Sequence, residues 1–359
     1  MRIAYLIHWN EGPVSGVFKK VVSQLGEWRR LGHDAAIFVY TNNGCENWGF
    51  HSGQAEVFVQ RYDDWSSRFN QMRVLCRRLE RWGPDVIYHR FDLYYPALRR
   101  LLRKVPSVLE INTNDLTEMQ LSGGLRYWYH RLTRARLLRM GGGCIYVSRE
   151  LSELEQFRKY VNNYIVIGNG FELAGVQPSS PPNNRTIRFV FIGSSGQSWQ
   201  GVDKLVQLAK LRESWIFDVI GIEAKELSGP VPGNMSFHGK LTRSEYEPLM
   251  RRADIAIGTL ALHRKRMEEA SPLKVREYLA YGIPVIMGYK ETDFAQIPPF
   301  ILELPNVADN IVPHLERITT FAESWSGKRI GRELIGHLDT QVKEAHRITF
   351  MAEVAKKPC

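Results

Sequence analysis

At 359 residues, 44% of them hydrophobic, the chain exceeds what one core usually supports and has the apolar material for two. Its net charge of +10 is concentrated early, with 22 Lys+Arg against 14 Asp+Glu in residues 1–150, which suits an anionic partner. Cys45, Cys76, Cys144 and Cys359 show neither C-x-x-C nor zinc spacing, and no apolar run is long enough to span a bilayer or serve as a signal core, so reduced thiols and a cytoplasmic location are expected.

The first half alternates short apolar runs with helical patterns, the signature of parallel βα units. Candidate strands are Ile3 to Ile7, Ala35 to Tyr40, Glu56 to Val59, Val86 to His89, Val108 to Ile111, Cys144 to Val147 and Tyr164 to Ile167. After the first, the loop HWNEGPVSGV feeds a helix from about Val17 to Leu31 that stops at Gly32. A small-residue turn into a helix presents amides to an anion or sugar, which makes Ser15 and Gly16 candidate contacts. No G-x-G-x-x-G occurs here, so a dinucleotide site is rejected.

VLEINTNDLTE, Val108 to Glu118, runs from a buried strand straight into a polar cluster, and the carboxyl edge of a parallel sheet is where open α/β folds bind ligands. Asn112 and Glu110 are candidate sugar or acceptor contacts there, while an Asx turn built by Asn112, Asn114 and Asp115 explains the same residues without a ligand. His8, His89 and Arg90 also end strands, where a structural role is the commoner one. LSGGLRYWYHRLTRARLLRM, Leu121 to Met140, reads as one helix with five arginines, no acid and three adjacent aromatics. That pattern fits either a solvated face or an anionic membrane surface. Nucleic acid ranks well below these, because no helix-turn-helix, RRM, KH or zinc signature is present.

VQPSSPPNN, Val176 to Asn184, reads as a hinge. A second α/β series follows, with strands Ile187 to Ile192, Phe217 to Ile220, Met235 to Phe237 and Ile255 to Ile257. GSSGQSWQG, opening at Gly193 and containing Gln200, is a Gly-rich turn into a helix and a candidate phosphate cradle. In EEASPLKVREYLAYGIPVIM, Glu268 to Met287, an amide-rich loop enters a helix from about Lys274 to Tyr281, and a buried strand, Ile283 to Met287, follows. Pro272 suits the first helical turn and Gly282 its end. Free amides, the positive end of the helix dipole and Lys274 together make a ready anion site. The carboxylates Glu269 and Glu277 bracket it. The segment from about Arg332 to Val354 has helical spacing.

The string from Glu268 to Met287 resembles the E-x7-E region of the retaining, GT-B-type glycosyltransferases of family 4, in the variant S-P-x-K-x-x-E-Y. The resemblance implies an α/β GT-B fold, two Rossmann-like domains facing a central cleft. An acceptor-side domain would span 1–172, a hinge 173–186, a nucleotide-sugar domain 187–335, and a helix in 336–359 would cross back to the N-terminal domain. It further implies that Glu269 faces the donor sugar, that Ser271, Pro272, Leu273 and Lys274 hold the diphosphate, and that Glu277 bonds the ribose hydroxyls. Gly239 and Lys240, in FHGK, would approach the base. Ser15 and Gly16 match the family's paired glycines near the donor phosphate and sugar, and Asn112 stands near a position where many relatives carry histidine. Ser194 or Ser195 and Gln200 occupy places where relatives often carry Arg and Lys. The compensating charge is therefore expected from Lys274, helped by Arg264, Lys265 and Arg266. The implied activity is metal-independent transfer of a sugar from a UDP- or GDP-sugar to a glycan or lipid-linked hydroxyl, without further cofactor, in cell-surface polysaccharide synthesis, on the inner membrane face if peripheral. A nucleotide-sugar epimerase and a non-catalytic nucleotide-sugar-binding protein are the alternatives.

Overall fold

A computed structural model describes residues 1–45, 47–49, 55–122 and 124–356, so Cys359 and the end of the expected 336–359 segment lie outside the described residues. The chain divides into two compact units, Met1–Gly170 with Thr340–Cys359 and Phe171–Asp339.

The first unit runs β1 (Arg2–His8), α1 (Gly16–Arg30), β2 (Asp34–Thr41), β3 (Glu56–Arg61), α2 (Trp65–Trp82), β4 (Val86–Arg90), α3 (Pro96–Leu102), β5 (Ser107–Ile111), α4 (Asp115–Ser122), α5 (Gly124–Leu138), β6 (Gly143–Tyr146), α6 (Arg149–Glu153), α7 (Glu155–Arg158) and β7 (Tyr164–Val166). Its sheet has the order β3-β2-β1-β4-β5-β6-β7 with every pair parallel. Successive residues of a strand face opposite sides, and both sides here are covered, which is why these strands read as continuous apolar runs. Ile3, Tyr5 and Ile7 pack with Phe18, Val21, Leu25 and Trp28 of α1, whereas Ala4 and Leu6 pack with Met72, Leu75 and Leu79 of α2 and Leu98 of α3.

The second unit runs β8 (Arg188–Ile192), α8 (Val202–Leu211), β9 (Ile216–Ile220), β10 (Met235–Phe237), α9 (Arg243–Arg252), β11 (Ile255–Ile257), β12 (Glu269–Ala270), α10 (Leu273–Ala280), β13 (Val285–Met287), β14 (Lys290–Glu291), β15 (Ile301–Glu303) and α11 (Leu315–Trp325). Its parallel six-stranded sheet has the order β10-β9-β8-β11-β13-β15, and β12 pairs with β14 in a two-stranded ribbon. Each of the large sheets thus repeats the 3-2-1-4-5-6 order of a doubly wound dinucleotide-type fold. The proline-rich segment read as a hinge is tied to this unit: Ser179 N donates to Tyr281 O at 3.2 Å, and Asn184 Nδ2 to Arg252 O at 2.8 Å.

The last helix, α12 (Thr340–Ala355), belongs to the first unit and buries Phe350, Met351 and Val354 in the same core as Ile3 and Tyr5. Gly142 and Gly143 make room for it: a Cβ would lie 2.6 Å from Val354 Cγ1 on the former and 2.6 Å from Phe350 Cζ on the latter. One expectation is corrected here. Leu121 to Met140 is not one helix, because α4 ends at Ser122 and α5 begins at Gly124, whose φ of +73° breaks the helical path. Its five arginines are not all on the surface either. Arg134 is buried and grips Asp115 through Nε at 2.6 Å and NH2 at 2.8 Å, while His130 Nε2 shares the same carboxylate at 2.5 Å.

Candidate active site

In the second unit the connections leave in opposite directions after β8 and β11, which opens a crevice at the carboxyl edge between these neighbours, the usual ligand site of such sheets. Three glycines let the backbone close up there. A Cβ on Gly221 would lie 2.1 Å from Gly193 O, and one on Gly193 would meet Ile222 Cδ1 at 2.6 Å and Gln200 Oε1 at 2.8 Å. Gly221 N donates to Gly239 O at 2.6 Å, with Gly239 itself at φ +61°. Gln200 folds back on its own loop, accepting from Ser194 N at 3.0 Å and donating to Gln197 at 2.5 Å. It therefore shapes the cradle and spends its amide internally. Lys240 is exposed at the far side of this edge.

The first turn of α10 enters the crevice beside β8. Tyr278 anchors the helix there by accepting from Ile192 N at 2.6 Å. Pro272 caps the helix without a side-chain bond and has no N–H, so the amides of Leu273 and Lys274 are the free donors of its first turn. The stem of Lys274 is partly exposed, but its ammonium is sealed from solvent, has no hydrogen-bond partner among the described residues and lies 4.2 Å from the centre of the Phe191 ring. Burial pushes its pKa down to about 7. A buried ammonium without an anion is unfavourable, and one at the positive end of a helix is more so.

Glu269 lies on β12 opposite Lys290 of β14, partly buried. Glu277, one face along α10, accepts from Tyr246 OH of α9 at 2.7 Å. Ser271 is buried, and its hydroxyl accepts from Arg276 NH2 at 2.8 Å. Arg276 also holds Glu291 at 2.8 and 2.6 Å and Asp293 at 2.6 Å. Burial opposes its charge, but the two carboxylates outweigh burial and hold its pKa above the ordinary value. This clamp fixes the loop from Ser271 to Lys274 against the β12–β14 ribbon. Neither Arg276 nor Tyr246 stood out beforehand: a lone Arg or Tyr on a helix carries no sequence signal when its partners are 15 to 31 residues away. Two members of the basic cluster have partners of their own. Arg264 is committed to Asp203 at 2.9 and 2.6 Å, and Lys265 lies 3.9 Å from the centre of the Trp199 ring.

In the first unit the corresponding carboxyl edge carries Ser15, Gly16 and Asn112. The Ser15 hydroxyl caps α1 by accepting from Phe18 N at 3.3 Å, accepts from Trp9 Nε1 at 2.7 Å and donates to Gly12 O at 3.0 Å. A ligand would therefore meet the backbone here. A Cβ on Gly16 would touch nothing within 4 Å, so this chain's own packing does not demand glycine. Asn112 follows β5 at half-burial, and Asn114 accepts from Thr117 N in the first turn of α4, so part of the cluster is a helix cap. Glu110 is no acceptor contact. It is fully buried, paired with Lys20 at 2.7 Å and bonded by Tyr5 OH at 3.2 Å; burial raises its pKa, but Lys20 and Arg90 outweigh that and hold it far below the carboxylate range. Asp64, one of an adjacent acidic pair, caps α2 by accepting from Ser67 N at 2.7 Å.

Comparison with solved structures identifies the fold. The lipopolysaccharide outer core galactosyltransferase WaaB aligns at TM-score 0.69 and 13% identity over 98% of this chain and 99% of its own. The pneumococcal O-GlcNAc transferase GtfA, solved with UDP and GlcNAc, aligns at 0.67 and 10% over 99% of each. Anabaena HepE, solved with UDP and glucose, aligns at 0.63 and 13% over 98% and 99%. The two units together form the GT-B fold shared by these proteins. Residues 15–170 match the model of the glycosyl transferase 4-like domain. No curated protein matches the chain.

Proposed function

We propose that the protein is a retaining glycosyltransferase that moves a sugar from a nucleoside-diphosphate sugar to a hydroxyl of a glycan or lipid-linked acceptor, without a divalent ion. The observation that carries this is the sealed, unpartnered ammonium of Lys274 beside the free first-turn amides of α10. A diphosphate supplies the missing anion, and as the glycosidic C–O bond breaks, the charge growing on the leaving phosphate strengthens both contacts. Lys274 and the amides then do the work of a metal ion. The glycosyl transferase 4-like match and the UDP complexes of GtfA and HepE support a nucleotide-sugar donor.

In this reading Glu277, held by Tyr246, bonds the ribose, Glu269 faces the sugar carbon where positive charge develops, and Gly239 and Lys240 lie toward the base. Ser271 and Pro272 set the loop, and Gly193 with Gln200 shapes the opposite wall. Ser15 and Gly16 offer amides, and Asn112 a side chain, on the acceptor side. Cell-surface polysaccharide synthesis is the process this would serve. Incubation with a panel of UDP- and GDP-sugars and hydroxyl acceptors in the presence of EDTA, followed by mass spectrometry, tests the proposal. A glycosylated product with retained anomeric configuration is expected. An epimerised nucleotide sugar, binding without turnover, or activity restored only by Mg²⁺ or Mn²⁺ would contradict it.

A further inference from the structure

Beneath the first sheet, at the amino edge opposite Asn112, lies a cavity of about 690 Å³ between the ends of α3, α5 and α12. Arg99 and Arg103 line one side and Arg136 and Arg139 another, and none of the described lining residues is acidic. Among the described residues none of the four guanidinium groups has a carboxylate within salt-bridge distance, although Lys104 and Glu80 pair nearby at 2.5 Å. Basic residues in the last turn complement a helix dipole, which accounts for Arg99 on α3 and Arg136 on α5 taken singly. It does not explain four around one cavity. The second observation is Ser107, the first residue of β5: it lines the cavity, it is 1% exposed, and among the described residues its hydroxyl has no partner. Buried hydroxyls are nearly always hydrogen-bonded, so an acceptor brought by a ligand would complete this one once a small side-chain rotation turned it to the cavity.

We infer that this cavity is a binding site for a phosphate group, held by Arg99, Arg103, Arg136 and Arg139 and by the Ser107 hydroxyl. Planar guanidinium groups match phosphate oxygens in pairs, which suits a tetrahedral dianion or diphosphate better than a carboxylate. The floor adds Leu102, Met140 and Val354, so the ligand has an apolar portion to place beneath its phosphate. A free phosphoester and an anionic lipid headgroup share this chemistry. The site is separate from the proposed acceptor edge by the length of β5, five residues or roughly 16 Å.

Hydrogen–deuterium exchange on the full chain tests this by location. Residues 99–107 and 136–142 should gain protection with inorganic phosphate, or with phosphatidylglycerol vesicles where phosphatidylcholine vesicles have no effect. The first result identifies a soluble phosphoester and the second a headgroup. Replacing all four arginines by Gln should abolish the protection. Arg99→Gln/Arg139→Gln, one change from each wall, should weaken the response at least tenfold and serves if the quadruple variant misfolds. Protection of 273–280 by a nucleotide sugar should survive in both, which separates this site from the donor site. Absence of protection at 99–107 with either probe, or protection that persists unchanged in the double variant, overturns the inference.

Discussion

Lys274 gives the donor site a pH dependence whose sign follows from its environment. In the free protein its ammonium loses its proton near pH 7 because burial disfavours the charge. A bound diphosphate holds that proton, so affinity should be constant below about pH 7. Above it affinity should fall by up to tenfold per unit until the pKa of the complex is reached. Stability without ligand runs the other way: between about 7 and 10.5 the unfolded chain carries a proton that the folded one lacks, so stability rises with pH in that window. Titration calorimetry with a UDP- or GDP-sugar in buffers of different ionisation enthalpy should show proton uptake at pH 8, absent in Lys274→Met. Equal uptake by both proteins would remove Lys274 from the diphosphate. The two glutamates should part in kinetics. Glu277→Gln should act mainly on donor KM, since a hydrogen bond to a charged group is worth about 1.5 to 3 kcal/mol. Glu269→Gln should lower kcat, because its interaction strengthens in the transition state. Raised KM with unchanged kcat in both variants would contradict these roles.

At the scale of elements, most of the fold was legible because parallel strands buried on both faces are short apolar runs with sharp ends. The run Ile3 to Ile7 corresponds to β1 and Phe217 to Ile220 to β9 within one residue at each end. The short strands β12, β14 and β15 were not legible, although the three-residue β10 and β11 were, since pairing there depends on the partner and no apolar run marks the place. The start of α10 was legible from Pro272 and its end from Gly282. The burial of Arg134 and Arg276 was not, because only distant carboxylates make a buried guanidinium tolerable. The triple glycine leading into β6 and including its first residue shows the same dependence: its meaning appears only when α12 docks. Gly143→Ala should force Phe350 aside and cost about 1 to 3 kcal/mol, as overpacking usually does. Phe350→Leu removes ring atoms at that point, so the alanine should cost less in that background. Additive losses of melting temperature in the double variant would show that the glycine serves some other purpose.

Across the whole molecule, charge and apolar surface meet on α5. Among the described residues no helix is long and apolar enough to cross a membrane. Leu125, Trp128 and Leu132 are 87%, 56% and 75% exposed and recur at a spacing that places them on one helical face. Arg131 lies over the Trp128 ring at 5.5 Å, beside that ridge. Residues 1–150 supply 22 of the 48 Lys+Arg against 14 of the 38 Asp+Glu, so they carry most of the net positive charge. Basic residues near an anionic leaflet contribute about 1 kcal/mol each and fade within a Debye length, whereas an inserted apolar ridge is indifferent to salt. A contact of α5 with an anionic membrane would therefore have two separable parts. Arg131→Gln should reduce flotation with phosphatidylglycerol vesicles at low salt and make little difference at high salt. Replacing Leu125, Trp128 and Leu132 together by Ser should remove the part that survives high salt, with donor affinity unchanged in both variants. Arg134 is excluded from this test because its loss would strand Asp115 in the interior. If wild type and both variants float equally at low salt, α5 is a solvated face, and the acceptor reaches the enzyme without a membrane.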